Sequence, residues 1–353
     1  FNVLPLDLVI EIFGRLPVKS VARFLLVSKL WATIIGSREF IKSFPLGSCS
    51  SQPRFLMAFN GQYGKERYFE KEDWYFFSSS FLSRSSCPLP NHVYLAHYVN
   101  GLLCTGYGQE QFIVNPTTGK SIALPRVRTR RKDANSFFGY DSVSDQYKGV
   151  NPEISHKVLC MTEAQRGPNF QGPSSEHHKK PSWRMVQCSI PHSPWSSGVC
   201  IDGFIYYLAE TGISVKQHSV IRFDLRSEKF HLVTRVPTET VLSEEDQYSH
   251  VVILNYQGKV AIPTRTSTYM FDVWVMDQDD EEHKWLKTLT FSVEPWKNLC
   301  RGFFIKGTTL MGEFILAPYG YSPNDAYVLL NHHYTGNFRK LKVKGNAGCS
   351  FTR

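Results

Sequence analysis

The chain has 353 residues, of which 42% are hydrophobic and 14% aromatic, and its formal net charge is +9. This composition excludes an intrinsically disordered protein, and no stretch reaches the roughly 18 consecutive apolar residues that a membrane span needs. The length suffices for a small module and a large domain, or for two to three average domains. Because the chain begins at Phe1 rather than at a methionine, we expect further residues upstream, and a targeting peptide there stays open.

The cysteines are scattered and include no C-x-x-C pair. This spacing argues against a zinc ribbon or a thioredoxin-type site, and we expect neither a metal nor another cofactor. The single N-x-S/T sequence, at Asn115, contains proline and is therefore not a glycosylation site. Both features predict a reducing compartment, the nucleus or the cytoplasm or both. The eight cysteines are Cys49, Cys87, Cys104, Cys160, Cys188, Cys200, Cys300 and Cys349.

The first 35 residues carry helical periodicity. Pro5 suits a first helical turn, where its missing N–H group costs nothing, and Pro17 ends the helix, because the residue before a proline avoids the α region. Apolar residues that recur every four positions share one helical face: Leu4, Leu8, Ile12 and Leu16. Two shorter stripes follow: Val18, Val21 and Leu25, and then Val27, Trp31, Ile34 and Ile35.

Three short helices in about 40 residues bury little of their own apolar surface, and chains of that size usually need help to fold. We therefore expect this module to complete its core against a partner. The pattern alone leaves a plainer interpretation open, in which the helices are the first part of a larger α/β core.

The same stretch resembles an F-box, the adaptor-binding motif of substrate receptors in SCF-type ubiquitin ligases. The resemblance covers residues 3–44 and rests on an LP-x-D start, an E-I-x-x-R-L-P centre, a K-S-V-x-R-F second helix and a V-S-K-x-W third helix. Two departures are mild: Leu26 stands where relatives often have a small residue, and Gly14 inside the first helix costs about 1 kcal/mol relative to alanine. The resemblance implies that a Skp-type adaptor binds the apolar positions, which here are Leu4, Pro5, Leu8, Ile12, Leu16, Pro17, Val27 and Trp31.

After residue 45 the helical periodicity stops. Residues 46–53 are interpreted as a linker, residues 54–345 as a β domain, and residues 346–353 as a tail. The β domain consists of short runs rich in β-branched and aromatic residues, bounded by turn-forming residues. A glycine-led strand recurs along it, and the last three starts lie 55 and 54 residues apart: Gly101, Gly203, Gly258 and Gly312. Such a period predicts a β-propeller, with a β-sandwich as the alternative.

Several motifs of the β domain occur in order along the chain. They are N-G-L-L-C at 100–104, N-P-T-T-G at 115–119, F-G-Y-D at 138–141, D-Q-Y-K at 145–148, V-C-I-D-G at 199–203, Y-Y-L-A at 206–209 and V-W-V-M at 273–276. These motifs look like the F-box-associated domain of plant F-box proteins, which is similar to kelch-type propellers. One departure is expected at 149–155, where relatives continue directly as a strand, and the polar stretch 165–181 predicts a long loop.

Sequence signatures of catalysis are missing. There is no G-x-S-x-G elbow, H-E-x-x-H motif, P-loop or G-x-G-x-x-G fingerprint. The adjacent histidines at 177–178 and at 332–333 point to opposite sides of an extended chain, which disfavours a metal site at either pair. We therefore predict a protein that is not an enzyme.

A dense basic run at 126–132 is one candidate for a target-binding surface. Arginine side chains bind carboxylates and phosphates in a bidentate manner, so Arg128, Arg130 and Arg131 are candidates for holding an acidic or phosphorylated segment. A solvated loop and a nuclear-import signal are the alternatives. The run lacks the interleaved aromatic residues that nucleic-acid binding favours.

Tryptophans near turn-forming residues are a second candidate surface. Exposed aromatic residues on loops commonly form recognition sites, and three tryptophans qualify, with packing between blades as the alternative: Trp74, Trp195 and Trp296.

Together these features predict the substrate-recognition subunit of an SCF-type E3 ubiquitin ligase. The helical module would bind a Skp-type adaptor and through it a cullin, and the β domain would bind a target protein that the sequence does not identify. We expect neither a membrane nor a nucleic acid as a partner. Two alternatives stay open: an F-box protein acting outside degradation, and a carbohydrate-binding or hydrolytic propeller, which paired carboxylates in a central channel would favour.

Overall fold

The structure is a computed structural model. It describes residues 5–14, 16, 18–37, 40, 57–61, 73–77, 81–86, 97–107, 110–116, 119–126, 136–152, 157–161, 183–212, 215–238, 252–278, 282–300, 302–309, 311–318, 327–332 and 335–342. The chain divides into two compact units, Phe1–Arg54 and Phe55–Arg353, which we call the helical module and the β domain. Among the described residues no helix has the length and apolar character that crossing a membrane requires.

The helical module contains three short helices, α1 (Leu6–Gly14), α2 (Val18–Phe24) and α3 (Lys29–Ile35). The side chain of Ser28 caps α3, because its Oγ accepts a hydrogen bond from the backbone N–H of Trp31 at 3.2 Å. The three helices share one buried core, to which Phe40, beyond the end of α3, also contributes. The core contains five side chains: Val9, Phe13, Val21, Ile35 and Phe40.

The β domain is built from antiparallel strands that pair in sequence order into six described sheets. Sheet 1 contains β1 (Met57–Gly61), β2 (Asp73–Phe77) and β3 (Phe81–Ser86), and sheet 2 contains β4 (His97–Val99), β5 (Leu102–Tyr107), β6 (Glu110–Val114) and β7 (Ser121–Ala123). Sheet 3 contains β8 (Phe137–Asp141), β9 (Gln146–Asn151), β10 (Lys157–Met161) and β11 (Arg184–Met185), and sheet 4 contains β12 (His192–Ile201), β13 (Phe204–Thr211), β14 (Gln217–Asp224) and β15 (Phe230–Arg235). Sheet 5 contains β16 (Leu254–Tyr256), β17 (Lys259–Ser267), β18 (Met270–Met276) and β19 (Trp285–Ser292), and sheet 6 contains β20 (Phe303–Thr308), β21 (Phe314–Pro318), β22 (Tyr327–His332) and β23 (Asn337–Lys342).

Sheets 2 to 6 are arranged as the blades of a propeller. The first strand of each sheet contacts the first strand of the next, in the order β4, β8, β12, β16 and β20. The last strands, β7, β15, β19 and β23, are the most exposed, so each sheet runs from the interior to the surface. A separate apolar cluster fills each of the four interfaces between successive sheets. The predicted fold class, an all-α module followed by an all-β propeller domain, is confirmed.

The glycine-led repeat corresponds to a recurring hairpin. Gly101, Gly203 and Gly258 have φ between 81° and 86°, each follows another residue with positive φ, and each joins the first two strands of its sheet. Two consecutive positive φ angles are typical of a type I′ turn, whose twist matches that of the flanking strands. Gly312, with φ 82°, occupies the corresponding connection in sheet 6, so the period found in the sequence is the period of the blades.

One detail of the sequence interpretation is wrong. The departure expected at 149–155 does not begin at Gly149, because Gly149, Val150 and Asn151 continue β9 and pair with β10. Val150 is fully buried in the cluster between sheets 3 and 4, and this burial explains why the strand extends. The stretch 165–181, predicted to be a long loop, lies outside the described residues.

Candidate functional site

Helix α1 buries one apolar stripe in its own module. Val9 and Phe13, four residues apart, lie on the same helical face and are almost completely buried. The ring of Phe13 lies 4.7 Å from that of Trp31 and 5.1 Å from that of Phe24, measured between centroids. The ring of Phe40 lies at 6.0 Å. The core of the module is therefore an aromatic cluster centred on α1.

A second apolar stripe of α1 is left unburied. Leu8 is 44% exposed and Ile12 is 49% exposed, and their spacing of four residues places them side by side. A nine-residue helix with apolar residues on two faces cannot bury both in a module of this size. The stripe of Leu8 and Ile12 is therefore available to a partner.

The turn between α2 and α3 presents a second group of exposed apolar side chains. Leu26 is 90% exposed, and Leu25 and Val27 in the turn are also exposed, as is Leu30 in the first turn of α3. The backbone of the turn is fixed by hydrogen bonds, since the N–H groups of Leu26 and Val27 donate to the carbonyl oxygens at positions 23 and 24, each at 3.1 Å. The backbone that carries Leu25, Leu26 and Val27 is thus ordered before a partner binds, which lowers the entropy lost on binding.

Exposed apolar side chains are concentrated in the helical module. Of the 15 large hydrophobic residues that are exposed among those described, six belong to it: Leu8, Ile12, Leu25, Leu26, Val27 and Leu30. A single exposed leucine is ordinary, but several within one small module indicate an interaction surface.

The predicted adaptor-binding residues fall into three groups. Pro5, Leu8, Ile12 and Val27 are exposed. Leu16 and Trp31 are half-buried and pack against the core of the module, so a partner meets only part of each. Leu4 and Pro17 lie outside the described residues.

Sequence reasoning did not single out Leu26 and Leu30 as candidates for this surface. In the sequence Leu26 stands out only as a departure from the family pattern, and no sequence motif marks Leu30. A signal was present, because the run Leu25–Leu26–Val27 is apolar at three consecutive positions, and the segment joining two short amphipathic helices cannot bury all three.

The predicted target-binding residues have different surroundings. Trp195 lies on β12 and is half-buried against the cluster between sheets 4 and 5, and Trp296 is half-buried beside Phe338 at a centroid distance of 6.2 Å. Trp74 lies on β2. The prediction that Trp195 and Trp296 bind a target therefore concerns only the exposed part of each ring. Arg128, Arg130 and Arg131 lie outside the described residues.

His97 links three inner strands of the β domain. It lies on β4 and is 5% exposed. Its Nε2 accepts a hydrogen bond from the backbone N–H of Gly198 on β12 at 3.2 Å, and its ring lies 5.4 Å from that of Phe137 on β8. Burial lowers the pKa of His97 from 6.5 to about 4, so the folded domain holds this imidazole neutral with Nε2 free to accept.

We expect the β domain to lose stability as the pH falls from about 6.5 to about 4. In this window the unfolded chain binds a proton at the imidazole of residue 97 that the folded domain excludes, so stability rises with pH. The difference between the two pKa values corresponds to a total loss on the order of 3 kcal/mol in the free energy of unfolding. The measurement is the melting temperature near neutral pH and near pH 5.

His97→Gln is the test variant, because glutamine keeps an acceptor but does not titrate. Its melting temperature should vary less with pH than that of the wild type, and His231→Gln, at an exposed position of β15, should behave as the wild type does. An equally steep pH profile for His97→Gln would contradict the assignment.

Groups of three or more histidine, cysteine, aspartate or glutamate side chains that could hold a metal ion are not found among the described residues. The half-buried thiols there, for example those of Cys188 and Cys200, have pKa values raised chiefly by burial. A raised pKa keeps a thiol protonated and unreactive.

The architecture defines a modular protein, with a three-helix unit that exposes apolar side chains and an antiparallel β-propeller. Both parts match known families: residues 1–43 match the F-box domain, and residues 54–352 match the F-box associated beta propeller domain. The chain therefore belongs to the family of plant F-box proteins that carry this propeller.

Two relatives show the similarity along almost the whole chain. F-box protein At4g11590 of Arabidopsis thaliana is 46% identical over 367 residues, which cover 99% of this chain and 88% of that protein. F-box protein At1g47810 of the same plant is 34% identical over 354 residues, covering 89% of this chain and 95% of that protein.

Proposed function

We propose that this protein is the substrate-recognition subunit of an SCF-type E3 ubiquitin ligase. In this scheme the helical module binds a Skp-type adaptor and through it a cullin, and the β domain binds a target protein. The observation that carries the proposal is the division of α1, in which Val9 and Phe13 fill the core of the module while Leu8 and Ile12 stay exposed. Membership of the F-box family supports the choice of adaptor.

The proposed mechanism is recruitment without bond-making by this chain. An amphipathic helix that buries its free face in a groove on the adaptor gives a stable attachment. A target held on the β domain then has its lysines at a high effective concentration near the ubiquitin-carrying enzyme. The chain itself supplies no nucleophile, and we propose that it acts in the nucleus, the cytoplasm or both.

We propose that the target binds at the basic run and at the exposed tryptophan edges of the β domain. Arg128, Arg130 and Arg131 and the exposed edges of Trp195 and Trp296 remain the predicted contacts, and the relation to kelch-type propellers remains a prediction as well. Purifying the complexes that this protein forms, with and without proteasome inhibition, identifies the target. A target that accumulates only under inhibition indicates degradation rather than a stable adaptor complex.

Changing Leu8 and Ile12 to alanine together should abolish capture of a purified Skp-type adaptor. Truncating a buried interface anchor costs about 2 kcal/mol or more, and two such losses weaken binding roughly a thousandfold. The module should stay folded, because Val9 and Phe13 are unchanged. The measurement is a pull-down combined with the thermal unfolding curve of the variant.

The matched control is the pair Leu232→Ala and Leu286→Ala, two leucines of similar exposure, 51% and 56%, on the outer strands β15 and β19. That double variant should capture the adaptor as the wild type does. Undiminished capture by Leu8→Ala with Ile12→Ala would overturn the proposed interface.

A further inference from the structure

The turn that follows β19 holds Trp296 at the outer edge of the interface between sheets 5 and 6. Val293, at the start of this turn, is completely buried, and its N–H group donates to the carbonyl oxygen of Tyr269 at 2.7 Å. The N–H groups of Trp296 and Leu299 donate to the carbonyl oxygens of Val293 and Trp296, at 3.0 and 2.9 Å. The backbone of the turn is therefore ordered before any partner binds.

The outermost strand of sheet 6, β23, turns a mixed apolar and basic face to the same interface. Phe338, Lys340 and Lys342 alternate along the strand and therefore share one face. Their partners on β22 include Leu329 and Tyr327, which are buried members of the cluster between sheets 5 and 6. This face of β23 is therefore the one directed towards sheet 5.

Contacts at two places join the turn to β23. The ring of Trp296 lies 6.2 Å from that of Phe338, measured between centroids. The amine of Lys340 lies 4.0 Å from the centroid of the Tyr327 ring, and the hydroxyl of Tyr327 donates to the carbonyl oxygen of Leu299 at 3.3 Å. The turn and the strand thus form one continuous patch. We call it the rim surface, and it consists of Trp296, Lys297, Leu299, Phe338, Lys340 and Lys342.

The apolar side chains of the rim surface are accessible to solvent. Leu299 is 39% exposed, and the rings of Trp296 and Phe338 are half-buried. Aromatic rings that stay partly exposed on an ordered backbone are common anchors of protein interfaces. The rim surface therefore offers an apolar contact directly beside charged side chains.

Positive charge predominates on the rim surface. The turn at 293–299 and strand β23 contain one acidic residue, Glu294, and four basic ones. Arg339 lies on the opposite face of β23 and pairs with Glu313, so the three lysines belong to the rim surface. Lys297 pairs with Glu294 at 3.2 Å, but both side chains are more than half exposed, and such a pair contributes less than about 1 kcal/mol. A partner that carries negative charge therefore fits this surface.

We propose that the rim surface binds an acidic segment of a partner protein, which places an apolar side chain against Trp296 and carboxylates beside the lysines. The apolar contact supplies most of the affinity, and the complementary charge supplies orientation and faster association. Identifying this partner as the target of ubiquitination rests on the function proposed above. The surface and the chemistry that it recognises can be tested on the purified chain alone.

The test follows the indole N–H signals of isotope-labelled tryptophans by NMR while a peptide is added. The probe is the peptide EELFEE, in which carboxylates flank two apolar residues, and the comparison is KKLFKK, which has the same apolar residues and the opposite charge. The variant Trp296→Phe identifies the signal of Trp296. We expect EELFEE to shift this signal saturably, and more weakly at high salt because exposed charges are screened, whereas KKLFKK should leave it in place.

The double variant Lys340→Gln with Lys342→Gln should bind EELFEE about tenfold more weakly, because two exposed charge pairs are lost. The matched control is Lys216→Gln with Lys229→Gln, which removes the same charge from two exposed lysines that flank β14 in sheet 4. It should bind the peptide as the wild type does, and melting temperatures show that both variants fold.

A Trp296 signal that does not shift saturably, an equal response to the two peptides, or equal weakening by the two double variants overturns the proposal. These outcomes leave the proposed role in a ubiquitin ligase untouched, because capture of the adaptor is measured separately at the helical module.

Discussion

Changing Phe13 to alanine is expected to unfold the helical module and to leave the β domain intact. Phe13 is 1% exposed and lies at the centre of the aromatic cluster formed with Phe24, Trp31 and Phe40. Truncation of a buried phenylalanine to alanine costs about 3–5 kcal/mol. A module of about 40 residues has little stability in reserve, so this loss exceeds what it can absorb.

Hydrogen exchange measures this outcome region by region. The amides of α1, α2 and α3 should exchange as in an unfolded chain, whereas those of the inner strands of the β domain should keep their protection. Leu26→Ala is the control, because a 90% exposed side chain contributes within about 0.5 kcal/mol. Retained protection in Phe13→Ala would contradict the assignment of this residue to the core.

Hydrogen exchange also distinguishes the roles of the two apolar stripes of α1. Phe13→Ala should lose adaptor capture because the module unfolds, while the double change of Leu8 and Ile12 should lose capture with the module still protected from exchange. The same loss of binding therefore has two causes, and hydrogen exchange distinguishes them.

Changing Glu228 to glutamine is expected to destabilise the β domain by about 3–5 kcal/mol, because it leaves a buried charge without its partner. Glu228 lies in the hairpin between β14 and β15, and its Oε1 is 2.8 Å from the amine of Lys148 on β9. The other carboxylate oxygen pairs with Arg184 on β11. These contacts join sheet 3 to sheet 4, and the side chain of Lys148 is only 7% exposed.

The melting temperature of Glu228→Gln should fall by roughly 10 °C for a domain of this size. Glu294→Gln is the matched control, because its partner Lys297 and the carboxylate itself are both more than half exposed, and exposed ion pairs contribute less than about 1 kcal/mol. Adding Lys148→Met to Glu228→Gln should restore part of the loss by removing the unpaired charge. Equal melting temperatures of Glu228→Gln and Glu294→Gln would show that the pair of Glu228 and Lys148 does not stabilise the domain more than an exposed pair does.

Low pH should remove from the wild type the stabilisation that the ion pairs of Glu228 provide. Burial alone would raise the pKa of Glu228, but its hydrogen bonds and the charges of Lys148 and Arg184 outweigh burial and hold that pKa below its usual value of 4.5. The stabilisation is therefore fully present above about pH 4.5 and is lost as the pH falls through the lowered pKa. The melting temperatures of the wild type and Glu228→Gln should converge in that range.

The local features of this protein could be predicted from its sequence, because they depend on neighbouring residues. Apolar spacing and Pro17 predict the first helix, and the recurring glycines predict the hairpins that begin the sheets, since a type I′ turn needs positive φ angles. The period of those glycines favoured a propeller over a sandwich. The resemblance to the F-box and to its associated domain was likewise readable from contiguous motifs.

The tertiary structure alone decided which apolar stripe of α1 is buried. The sequence places Leu8 and Ile12 on one stripe and Val9 and Phe13 on another, but only the aromatic cluster around Phe13 selects the second stripe for the core. Two features stayed hidden for the same reason: the pairing of Lys148 with Glu228, 80 residues away, and the burial of His97 against Gly198. Each depends on strands far apart in the chain coming together, and the energy of such contacts is a property of the packed domain rather than of any local segment.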